Sequence, residues 1–154
     1  MWKKVDSALL NMTQRKFWYS FSQKAEAKMP FMEGASIRKT DALQKTAGKP
    51  GLAWSIAVNK SESWVELTIL LSGDKERSHE LFDKLYAHKN EIETKYGGPL
   101  LWEKLENRKS CRIKSLPFEG YGMDEVDRWG ELQDSLIDKT SKMEKAFSFY
   151  FQLL

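Results

Sequence analysis

Several residue groups in the chain have the types that chemistry uses, and their spacing decides what each can do. Glu26-Ala27-Lys28 and Glu93-Thr94-Lys95 carry the Glu-x-Lys spacing of a magnesium-dependent nuclease. That chemistry needs the tripeptide on a strand with an aspartate close before it, so that carboxylates hold the metal and the lysine positions a water. Both tripeptides fall in segments of helical period, and we read them as solvated helix faces. His79 and His88, the only histidines, are nine residues apart, which places them on opposite sides of one helix and unable to share a metal. The single cysteine, Cys111, stands between Lys109 and Arg112, neighbours that lower a thiol pKa. Alternation nevertheless puts it on the same side as Ile113, as a buried structural thiol. Glu91 with Glu93, and Asp124 with Glu125 and Asp127, suit helix ends rather than acid-base work. No phosphate loop, dinucleotide fingerprint or nucleophile elbow occurs. The expectation is therefore no catalytic residue, no metal and no cofactor.

Two surfaces remain. If Val65, Leu67, Ile69, Leu101, Leu105 and Ile113 face a core, alternation places Trp64, Trp102, Lys104, Arg112 and Lys114, with Glu66, on the opposite side of a sheet. Indoles interleaved with cations stack bases and hold phosphates in single-strand binders; the alternative is packing of the indoles under neighbouring structure. Residues 1–60 hold 11 Lys and Arg against 4 Asp and Glu, a net of +7, whereas the remaining 94 residues hold 14 against 18. Lys39, Lys45 and Lys49 belong to this basic third, which reads as solvated surface, as a contact for a polyanion, or as a dock for an acidic protein partner. The second surface is the C-terminal stripe, where Trp129, Leu136, Met143 and Tyr150 recur every seven residues. Met143, Phe147, Tyr150 and Phe151 would form a homodimer interface if the helix outran the core.

The elements that position these groups follow from period and punctuation. Phe17, Trp18, Phe21 and Ala25 mark one helical face over residues 13–29, and Pro30 ends it. Residues 31–51 show no sustained period beyond a short edge strand at 35–40. Alternation then predicts an antiparallel hairpin: strands at 54–58 and 65–71 joined by Lys60-Ser61-Glu62-Ser63. A single helix is expected over 75–96, stopped by Gly97-Gly98-Pro99, then strands at 100–106 and 111–116. Asp124 is expected as the N-cap of a long final helix. The order α-β-β-α-β-β-α predicts an α+β fold: a mainly antiparallel sheet of four to five strands covered on one face by helices.

The 154 residues, 41% hydrophobic and 12% aromatic, form one domain spanning 1–154 and are too rich in Trp and Phe for disorder. A lone cysteine excludes an internal disulfide and fits a reducing compartment. No apolar run reaches the roughly 18 residues of a membrane span, so a cytoplasmic protein without membrane contact is expected.

Taken in order, Arg15-Lys16-Phe17-Trp18, Val65-Glu66-Leu67, Leu81-Phe82-Asp83-Lys84-Leu85, Lys89, Glu91-Ile92-Glu93 and Gly97 carry a resemblance. It continues through Leu101-Trp102-Glu103-Lys104-Leu105, Cys111-Arg112-Ile113 and Trp129. The set, spread over almost the whole chain, resembles the bacterial and archaeal domain-of-unknown-function family 4268. That resemblance implies no established activity. It implies nuclease or defence contexts, because some similar proteins carry this domain after a nuclease-like domain. The expected function is an accessory binding module that contacts nucleic acid. The alternatives are a protein-interaction domain dimerising through its last helix, and an enzyme of unknown class.

Overall fold

The computed structural model describes residues 10–38, 42–71, 74–104, 109–119 and 121–152. The first helix, α1 (Met12–Ala25), starts at Asn11, whose side chain accepts from the Gln14 amide while the Gln14 side chain accepts from the Asn11 amide. This reciprocal cap satisfies two otherwise free helix-end donors. Its Phe17, Trp18, Phe21 and Ala25 are buried, as the helical spacing predicts.

One antiparallel sheet follows, with strands β1 (Ser36–Arg38), β2 (Ala42–Thr46), β3 (Leu52–Val58), β4 (Glu62–Ile69), β5 (Leu101–Glu103), β6 (Cys111–Lys114) and β7 (Phe118–Glu119). Their order across the sheet is β1-β2-β3-β4-β6-β5, with β7 pairing the start of β4 beyond β6. The sheet is thus larger than expected, because β2 is a full strand where the sequence shows no period. The register explains this. Only Leu43 and Lys45 of β2 point to the covered side, beside Ile56 and Trp54, so one of its two inward positions is a lysine and the apolar alternation is lost.

All described helices that pack on the sheet lie on one face. The last, α4 (Trp129–Phe151), sets Phe147 against Trp54 and Trp102, at ring-centroid distances of 6.1 and 6.2 Å. α1 packs on α4 in turn: Phe17 meets the Trp129 ring edge-on at 5.2 Å, and buried Gln133 donates to Ser20 Oγ at 2.8 Å. The long helix expected over 75–96 is two, α2 (Lys75–Tyr86) and α3 (Lys89–Tyr96). The chain bends at Ala87-His88, where the His88 amide bonds to Leu85 in a tighter, three-residue step. Gly97, at φ 97°, closes α3 in the left-handed conformation that glycine adopts without strain. Asp124 does not cap α4; a one-turn helix at Val126–Arg128 leads into it instead. Among the described residues no helix is long and apolar enough to cross a membrane.

Candidate binding face

Strand alternation separates the sheet into two unlike faces. Four register rows face the helices: Val58–Ser63, Leu43–Ile56–Val65, Lys45–Trp54–Leu67–Ile113–Trp102 and Leu52–Ile69–Cys111. Facing away are the rows Ala42–Ala57–Trp64, Gln44–Ser55–Glu66–Lys114–Leu101 and Thr46–Ala53–Thr68–Arg112–Glu103, with Glu62 beyond them at the start of β4.

The sequence-predicted group therefore divides. Trp64, Arg112 and Lys114 come together on the open face. Trp102 and Lys104 do not, which corrects the expected alternation of β5. Trp102 pairs with inward-facing Ile113, so its indole must point inward too. There it packs against Phe82 and Tyr86, and its Nε1–H donates to Glu93 Oε2 at 3.1 Å. Leu101, expected inside, lies opposite Lys114 on the open side. Lys104 reaches α2, where its Nζ lies 3.1 Å from Asp83 Oδ1. Lys45 is also on the helix side, close enough to Gly34 that a Cβ there would lie 3.1 Å from its Nζ. Lys49 is half-buried in the turn between β2 and β3, and Lys39 lies outside the described residues.

The expected dimer stripe is corrected as well. Met143, Phe147 and Tyr150 are buried in the chain's own core, and Phe151 stacks on Phe147 and leans on Trp54. The Tyr150 hydroxyl donates to Glu91 Oε2 at 2.5 Å, a bond that raises the tyrosine pKa by holding the proton on. A seven-residue repeat has served a core helix rather than a coiled coil.

On the open face a carboxylate that sequence reasoning treated only as a diluting charge is the hub. Glu66, 9% exposed, accepts from Trp64 Nε1 at 2.9 Å and from Thr68 Oγ1 at 3.0 Å. Arg112 donates through Nε to Glu103 Oε1 at 2.5 Å, with Nη1 4.0 Å from Glu66 Oε1. Lys114 places its ammonium 4.7 Å from the centre of the Trp64 ring, a cation–π distance. The floor along β3 is small: Ala53, Ser55 and Ala57, with Gln44 Nε2 donating to Ser55 Oγ at 2.6 Å. Leu70, at the end of β4, and Leu116, just after β6, are among the few large exposed apolar side chains. The face therefore holds an arginine answered by two carboxylates, a lysine set over an oriented indole, and a strip of small residues in which Ser55 and Ala57 are 3% and 7% exposed.

No reactive constellation accompanies it among the described residues. Cys111 is buried, with Sγ 3.2 Å from the Lys104 carbonyl oxygen. Among the described residues no group of three or more His, Cys, Asp or Glu is placed to hold a metal ion.

A family model described as "Domain of unknown function (DUF4268)" matches residues 13–151. No curated protein and no solved structure matches the chain.

Proposed function

Since the chain belongs to the DUF4268 family, a membership that assigns no activity, we propose from the site itself that it is a binding module without catalytic activity, docking a protein surface on the open face of its sheet. The observation that carries this reading is the balanced network around Glu66. It holds Trp64 and Arg112 in place on a face that no described helix covers. Trp and Arg are the residues that most often dominate protein interfaces, and held rigidly they lose little entropy on binding. A polyanion partner, favoured from sequence, needs uncompensated cations. Arg112 is answered by Glu103 and Glu66, and Trp102 and Lys104 have left the face, so the protein reading is the better supported.

The test sets both partners against each other. Labelled single- and double-stranded DNA and RNA are titrated at low and high salt. In parallel, partners captured from cells by the wild-type chain are compared with those captured by a Trp64→Ala/Arg112→Ala variant. The expected result is a protein partner that survives high salt and is lost with the variant, and no nucleic-acid binding that depends on Trp64. Nucleic-acid affinity that falls steeply with salt and disappears with Trp64→Ala overturns the reading.

A further inference from the structure

We draw no further inference here: the strongest candidate, the surface patch beside α3 where exposed Tyr86 and Phe149 carry Lys89 and Lys95 over their rings, is an unpartnered face, and nothing in the structure shows what covers it.

Discussion

The two faces of the sheet are built from the same strands, in alternation, yet answer different physical demands. On the covered face a single row runs Trp54–Leu67–Ile113–Trp102, and α4 presses Phe147 onto both of its indoles. On the open face the corresponding row runs Ala53–Thr68–Arg112–Glu103. Burial selects volume on one side, and contact with water selects small or charged residues on the other. An indole on the open side is therefore the exception, and Trp64 is held by a hydrogen bond and a cation instead of by packing. The covered face supplies stability; the open face supplies shape and charge.

Substitutions should divide along that line. Phe147→Ala empties the junction between Trp54, Trp102 and Phe151 and should cost about 3–5 kcal/mol, a transfer loss plus a cavity. Denaturant titration checks it, and a loss below about 1 kcal/mol would mean that the covered face is not the folding core. The next effect, on the helix side, is pH-dependent. Tyr96 is 5% exposed, and burial, with Asp138 adding to it, pushes its pKa up to about 12. The folded state binds this proton more tightly than the unfolded chain, so the contribution is fully present below about pH 10 and is lost as pH rises through about 12. Its size is about 2–3 kcal/mol. Absorbance titration of the phenolates should show Tyr96 and Tyr150 ionising later than an ordinary tyrosine, and Tyr96→Phe should remove the step near pH 12 along with the matching part of the alkaline loss of stability.

On the open face the effects shrink. Glu66→Ala removes the acceptor for Trp64 Nε1 and Thr68 Oγ1 and should cost about 1–2 kcal/mol, since both freed donors sit where water can replace the carboxylate. The same change should loosen Trp64, seen as a broadened indole resonance. A cost as large as that of Phe147→Ala would show that the open face is part of the core.

How much of this was legible in sequence depended on how many inward positions each element fills with apolar residues. β3 and β4 have at least three, and their hairpin and register follow from alternation. β2 spends one of its two on Lys45, which hides the strand. In β5, Leu101 and Trp102 are both apolar, so the face is ambiguous until pairing with Ile113 fixes it. The break between α2 and α3 carries neither glycine nor proline, and helical period continues across it from Leu85 to Ile92. The stripe of α4 was visible, but its destination was not, because the same spacing serves a core and a dimer seam. Of the expected site, Trp64, Arg112 and Lys114 followed from parity. The role of Glu66 did not, since a carboxylate gains its meaning only from the indole and guanidinium around it.

The smallest predicted effect on folding bears most on the partner. Glu103→Gln removes one member of an ion pair whose side chains are 37% and 29% exposed, and exposed pairs contribute less than about 1 kcal/mol. Stability should barely change, and what difference there is should vanish in 1 M salt, where screening acts within about 3 Å. The open face, however, loses one of the two carboxylates that answer Arg112. A protein partner held at Trp64 should bind no more tightly for the change, at low salt or at high. A nucleic-acid face would respond in the opposite sense, its affinity for a single-stranded oligonucleotide rising as the competing carboxylate is removed and falling again with salt. One substitution, read at two salt concentrations for partner capture and for oligonucleotide binding, separates a face made for protein from a face made for phosphate.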